Sequence, residues 1–186
     1  MKQWKTIARQ PVLKHSKWLT VENHTIELPD GMVLREWPWI ITPDYVNVVS
    51  VTEEGNFLCF RQTKYGVEGV SLAPVGGYLE LDEDPLAAAK RELLEETGCN
   101  ASAWVSLGHY PVDGNHGAGV AHLYLARGVH QVAAPVKDDL EEQQLLSMQR
   151  EEIVSALAAG EFKVLSWATA MALSLLHLQN ELGQTP

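Results

Sequence analysis

The sequence predicts an α+β or α/β sandwich built on a mixed β-sheet. Short β-like runs separated by turn signals reach Val75, one sharply delimited helix follows at Pro85 to Thr97, and two more helical segments close the chain after Arg150. Strands interrupted by one helix and then followed by helices give a sheet with helices packed on it.

Residues 3–41 alternate short β-like runs with turns. Val21 to Leu28 reads as a strand, Pro29-Asp30-Gly31 as a strong turn, and Met32 to Ile41 as the returning arm of a hairpin. Tyr45 to Thr52 and Phe57 to Gln62 are strands on either side of the hairpin turn Glu53-Glu54-Gly55-Asn56. Val70 to Val75 is a further strand, weakened at its end by Pro74, which has no N–H to donate. Asp84 can cap the first helix, Pro85 suits its first position, and Gly98 suits the C′ position where φ turns positive. Trp104 to Pro111 and Ala121 to Ala126 are strands joined by a Gly-rich loop, Val112 to Val120. Arg150 to Ala159 is a helix ending at Gly160, and Ser166 to Leu182 is another. No repeat or linker divides the chain. Residues 1–42 form an N-terminal antiparallel β extension and residues 43–186 the main domain.

Composition narrows the function. The 186 residues are 46% hydrophobic and 20% charged, enough for an ordinary core. No apolar run reaches the roughly 18 to 20 residues a membrane helix needs, and the N-terminus lacks the apolar stretch of a secretory signal. Cys59 and Cys99 stand apart, with no metal or redox motif, and read as buried thiols in a reducing cytoplasm. A net charge of −10 argues against nucleic acid as a partner, since phosphate recognition needs clustered Lys and Arg. From Asp138 onward eight carboxylates face only Arg150 and Lys163. Such a chain can still bind an anion when a divalent cation lies between them.

The chemistry concentrates between Gly77 and Cys99. Gly77 is followed after five residues by Glu83 and after seven more by Arg91-Glu92-Leu93, then Glu95-Glu96, Gly98 and Cys99. At usual residue frequencies, seven fixed identities at fixed spacing arise by chance about once in 10⁸ starting points. At 100° per residue, Glu92, Glu95 and Glu96 fall within a sector of about 100°. Leu86, Leu93 and Thr97 fall elsewhere and face the core, flanked by Ala87 and Leu94, while Ala88 and Ala89 leave room one turn before the acids. Like charges one turn apart repel by a few tenths of a kcal/mol, so the cluster needs an offset. Mg²⁺ supplies one, because it takes hard oxygen ligands from a few carboxylates and substrate phosphates. Gly76-Gly77 lets the backbone come close to such an ion, and Arg91 can fix one glutamate through a salt bridge.

This spaced set resembles the signature of the Nudix hydrolase family, with Cys99 where an aliphatic residue is more usual. The resemblance implies an α/β/α sandwich and hydrolysis of a nucleoside diphosphate derivative with Mg²⁺ or Mn²⁺. It implies Glu92 and Glu96 as the principal metal ligands, Glu95 as a further ligand or the group that activates water, the Gly76 carbonyl as a backbone ligand, and Glu83 as support for the metal network. Outside the box, the Pro29-Asp30-Gly31 hairpin, Arg61-Gln62-Thr63-Lys64-Tyr65, Ala73 to Gly77 and Gly160-Glu161-Phe162-Lys163 resemble the ADP-ribose and nucleoside diphosphate sugar pyrophosphatase branch. That branch implies Lys64 at the diphosphate, with Arg61 as a further substrate-binding candidate, a homodimer formed with the help of the N-terminal segment, and Glu141 or Glu142 as a candidate base in an acidic loop. The same stretch also reads as a solvated charge run.

Asp113 and Asn115 can contact the substrate's ribose or phosphate or simply shape a turn. Trp37 and Trp39 can pack or stack on a base. His109, His116, His122 and His130 lack zinc spacing and read as packing or surface residues. The function expected is hydrolysis of a nucleotide sugar, ADP-ribose first. The alternatives are a Nudix hydrolase of nucleoside triphosphates, dinucleoside polyphosphates or NADH, and a non-catalytic nucleotide-binding module.

Overall fold

The computed structural model describes residues 1–136 and 142–182. The chain divides into two compact units, Met1–Asp44 with Tyr110–Ala121, and Tyr45–His109 with His122–Pro186.

In the first unit, β1 (Lys5–His15), β2 (Leu19–Glu27) and β3 (Val33–Ile41) form an antiparallel meander. The turn at Pro29-Asp30-Gly31 closes as the sequence requires. Leu28 donates its N–H to the Met32 carbonyl at 2.8 Å, and Asp30 Oδ1 accepts from the Met32 N–H at 3.0 Å. Strand β1 was only partly legible because Pro11 interrupts its alternation. The register shifts between Pro11 and Leu13, where a bulge on an edge strand tolerates the missing donor. Every residue of β1 is exposed.

The expected loop from Val112 to Val120 is mostly strand. β8 (Cys99–Asp113) and β9 (Gly117–Gln131) run on, leaving only Gly114, Asn115 and His116 between them. Asp113 Oδ1 accepts the N–H groups of Asn115 and His116 at 2.7 and 3.0 Å and so closes the turn tightly. The glycines beyond it serve pairing rather than looseness. Gly117 pairs in parallel with Ile40, whose N–H donates to the His116 carbonyl at 2.8 Å.

In the second unit, β4 (Tyr45–Thr52) and β5 (Phe57–Lys64) form a hairpin. β6 (Val67–Ala73) pairs with β5, β7 (Val75–Tyr78) with β4, and β8 with β9. The single strand expected at Val70 to Val75 divides at Pro74, and the chain changes partner there from β5 to β4. β10 (Gln143–Met148), which the sequence did not announce, pairs antiparallel with β5 from Gln143–Gln62 to Met148–Phe57. Parallel and antiparallel pairings coexist, so the sheet is mixed.

Helix α1 (Pro85–Thr97) begins where Asp84 accepts the Ala87 N–H at 3.0 Å and ends at Gly98, φ 71°, whose N–H reaches the Leu94 carbonyl at 2.8 Å. It packs on β7 and β4. Helix α2 (Arg150–Ala158) opens with the Gln149 N–H on Glu152 Oε2 at 2.7 Å and packs on α3 (Leu165–Leu182). In α3, Trp167, Ala170, Met171 and Ser174 are buried at helical spacing, and the helix lies on β4. The core is centred on Val46, Val48, Val49, Phe57, Leu93, Leu123, Leu125, Ile153 and Met171, all nearly inaccessible. None of the described helices is long and apolar enough to cross a membrane.

Gly98 carries two constraints at once. Its φ is left-handed, and a Cβ there would overlap the Ala133 carbonyl oxygen, a backbone atom with little room to move. Gly55 has a similar φ, 86°, with open space around it. Gly55→Ala should therefore cost about 1 kcal/mol from backbone strain alone, and Gly98→Ala at least about twice that. Urea unfolding of the two variants measures the difference, and equal costs would show that contact with Ala133 adds nothing.

Candidate active site

The site grows from the way α1 meets β7. Gly76 and Gly77 pair with Asn47 and Val46 of β4. A side chain on Gly77 would overlap the Glu92 carboxylate, so the glycine leaves the space in which that carboxylate lies. One turn further along α1, Glu96 Oε2 accepts the Gly76 N–H at 3.1 Å. Two acids of the helix thus reach the backbone of one short strand.

Leu93 and Thr97 face the core as the apolar pattern suggested, Leu86 is half-buried, and the residues flanking that stripe differ from expectation. Ala88 and Ala89, expected to leave room beside the acids, are fully buried together with Leu93 and Thr97. Ala87 and Leu94, expected to flank the core, are exposed. The physical reason is size. Two alanines let the helix axis approach the sheet closely, and that approach carries the neighbouring Glu92 and Glu96 inward to half-buried positions.

Arg91 holds the acids in place. Its Nε and Nη2 donate to the two oxygens of Glu83 at 2.9 and 2.8 Å, and Nη1 donates to Glu92 Oε1 at 2.7 Å and Glu95 Oε2 at 3.1 Å. Nη2 also reaches the Tyr78 carbonyl at 3.2 Å. The sequence allowed one such salt bridge, and the structure has three. Glu83 also accepts the Glu80 N–H at 2.9 Å, so it faces Arg91 and the entering loop.

Electrostatics separate these carboxylates. Hydrogen bonds from Arg91 hold the Glu83 carboxyl down at about 2. Glu92 moves the other way: burial raises its carboxyl above the usual range although Arg91 opposes the shift. A carboxylate removed from water next to a single shared guanidinium is one that an added cation would stabilise.

The donor set fits a hard divalent ion in kind. Glu92, Glu95, Glu96 and a backbone carbonyl at Gly76 offer only oxygen. Among the described residues no three acidic, His or Cys side chains converge on one point; Glu92 is hydrogen-bonded by Arg91 and Glu96 by the Gly76 N–H.

The other residues singled out in the sequence fall in several places. Arg61 lines a cleft of about 480 Å³ that also receives Glu142 and Gln144, following the β5–β10 pairing, and Lys64 ends β5. Glu141 lies outside the described residues. Asp113 and Asn115 belong to the first unit. The Asp113 carboxylate faces the His116 ring at 2.9 Å and is held below its usual range by it, while the Asn115 carbonyl accepts Trp37 Nε1–H at 2.8 Å. Both therefore build the turn. His116 stacks on Trp37, and His24 on Trp39. Cys59 is free and buried, its thiol pushed up to about 12 by desolvation, and Cys99 is free and buried as well.

Sequence reasoning missed Asn47. It is buried against Gly76, and its Oδ1 has no hydrogen-bond partner among the described residues. The available signal was one amide inside the apolar run Val46 to Val49.

Known proteins share this architecture. The NUDIX domain matches residues 42–171, and the nucleoside diphosphate sugar hydrolase N-terminal domain matches residues 4–35. An ADP-ribose pyrophosphatase of Bacillus subtilis (strain 168) is 27% identical over 96% of this chain and 95% of its own. A methanol dehydrogenase activator of Bacillus methanolicus is likewise 27% identical, with the same coverage. The crystal structure of an ADP compounds hydrolase superposes with a TM-score of 0.81 at 18% identity, covering 97% of both chains. That likeness shows the fold.

The Glu83–Arg91 pair gives stability a pH dependence of known sign. A folded carboxyl near 2 against an unfolded value of 4.5 stabilises the protein above 4.5, and that contribution is lost as pH falls from 4.5 towards 2. Wild type should therefore exceed Glu83→Gln in urea midpoint at neutral pH, with the gap narrowing below pH 4.5 and closing only towards about pH 2. A gap that stays constant with pH would refute the assignment.

Proposed function

The chain belongs to the NUDIX domain family, and on that footing we propose that it hydrolyses the diphosphate bridge of a nucleoside diphosphate sugar, ADP-ribose first, using Mg²⁺ or Mn²⁺. The observation that carries this reading is the half-buried Glu92 carboxylate lodged in the space left by Gly77, with Glu96 one turn on at the Gly76 N–H. The substrate class is supported by the matches of the N-terminal segment and of the Bacillus subtilis relative.

Glu92 and Glu96 would hold the cation, with the Gly76 carbonyl as a further oxygen and Glu95 either as another ligand or as the group that activates water. When bound, such an ion polarises a phosphoryl oxygen and neutralises charge developing on the diphosphate. Arg91 anchors Glu92 and Glu95 beside Glu83, so these acids are gathered at one edge of the site. Glu95, the more open of the two with a side chain 48% exposed, takes the proton of the attacking water, with Glu142 and Glu141 as the other candidates. Arg61 and Lys64 contribute positive charge for the diphosphate, and Asp113 and Asn115 keep the turn that borders Trp37. Water oxygen bonds to one phosphorus, the bridging P–O bond breaks, and a nucleoside monophosphate and a sugar phosphate leave.

Residues 1–42 form a dimerising extension of the 43–186 hydrolase domain. The support is β1, an edge strand that leaves Ile7, Val12 and Leu13 about half exposed, with Trp4 equally exposed just ahead of it. The two buried free thiols fit a reducing, cytoplasmic setting.

A phosphate-release assay with a coupled phosphatase that hydrolyses the monophosphate products, run over ADP-ribose, ADP-glucose, GDP-mannose and UDP-glucose and extended to nucleoside triphosphates, dinucleoside polyphosphates and NADH, tests the reaction. ADP-ribose should be turned over fastest, and Glu96→Gln should lower turnover at least about 10²-fold while leaving the urea midpoint near wild type. No turnover of any diphosphate sugar removes the proposal. Sedimentation should give a dimer that Ile7→Asp with Leu13→Asp converts to monomer. A wild-type monomer would end the dimer assignment.

A further inference from the structure

A second cleft, of about 680 Å³, lies at the other end of β4. Val51 and Thr52 line it, whereas Val46 and Asn47 pair with the glycines of the acidic site. Five residues of extended strand separate the two ends by on the order of 15 Å. The volume is in the range of small-molecule sites.

Val51 and Phe57 form its apolar floor and Leu178 adds an aliphatic wall. Its charged groups are Glu53, Glu181, Arg127 and Arg150. Among the described residues Arg127 uses only Nη1, which donates to both Glu181 oxygens at 2.9 and 2.7 Å. Arg150, half-buried at the start of α2, meets only the Leu175 carbonyl at 3.5 Å among the described residues. A guanidinium carries five N–H donors. Arg91, by contrast, spends its donors on five contacts. The two arginines of this cleft therefore retain most of their hydrogen-bonding capacity beside an apolar floor.

We propose that this cleft binds an organic phosphate monoester of nucleoside size, with the phosphate on Arg127 and Arg150 and the nucleoside against the aliphatic wall at Leu178. The Glu181 carboxylate marks where an oxyanion already rests on Arg127. A phosphate offers more acceptor oxygens and a second negative charge, so it can engage both arginines together. The proposal is independent of the hydrolytic reading, because no residue of the acidic helix takes part.

Isothermal titration with adenosine 5′-monophosphate, in chelator so that divalent ions play no part, tests it. Arms with inorganic phosphate and with adenosine separate the two halves of the ligand. Binding should be tighter than about 1 mM, at least about tenfold weaker in Arg150→Gln and in Arg127→Gln, and tighter in Glu181→Gln, which removes the competing carboxylate. Both arginine variants should keep wild-type hydrolysis and wild-type circular dichroism. If one misfolds, the other and Glu181→Gln still decide. Absence of binding to both wild type and Glu181→Gln overturns the proposal, as does wild-type affinity in folded arginine variants. Equal affinity for inorganic phosphate overturns the nucleoside part.

Discussion

The acidic face of α1 depends on one guanidinium. Arg91 joins Glu83 in the loop ahead of the helix, the Tyr78 carbonyl at the end of β7, and Glu92 and Glu95 on the helix itself. Without a shared positive charge the glutamates would repel one another into solvent rotamers. With it, the loop, the end of β7 and the helix are joined through one side chain. Lysine would not serve, since a point charge cannot fork to Glu83 while still reaching Glu92.

That frame is bought with solvation. Glu92 gives up water and stays only partly compensated, which is why its carboxyl titrates high while Glu83, better served by the same arginine, titrates low. A binding site for a cation needs this imbalance. A fully satisfied carboxylate gains little from an ion, and a fully exposed one holds it loosely. The surrounding core provides the stability that lets such a residue persist, with Leu93 buried beside it and Val46 and Val48 beneath.

Much of this was legible in the sequence, for identifiable reasons. The helix at Pro85 to Thr97 was marked at both ends by residues whose backbone chemistry permits little else, and its limits agree with the structure. The hairpins at Asp30-Gly31 and Gly55-Asn56 were marked in the same way. β10 was not, because Gln143 to Met148 has no alternation of its own and is a strand only because β5 offers it an edge. The Val112 to Val120 region misled by its glycines, which suggest looseness until Asp113 is seen to fold the turn. The flanks of the buried stripe on α1 were harder to read than its centre at Leu93 and Thr97. A wheel counts Leu94 as apolar and Ala88 as neutral, whereas packing distance favours the smaller residue against the sheet. The family's box gave the identity of the acids, but not the threefold grip of Arg91, which depends on where Glu83 sits after its loop.

The end of α1 has one more tie. Its last carbonyls are not left to water: Gly98 accepts the N–H groups of Val132 and Ala133 at 2.9 Å each, and Glu95 accepts that of Val136 at 2.8 Å. The strand leaving β9 is thus stitched to the same turn of helix that presents the carboxylates. A lengthening or shortening of the chain between Gln131 and Val136 would pull on that stitching and misalign the acids without altering any of them. The segment works as a tailor's seam allowance: invisible in the finished site, yet setting how much slack the site has.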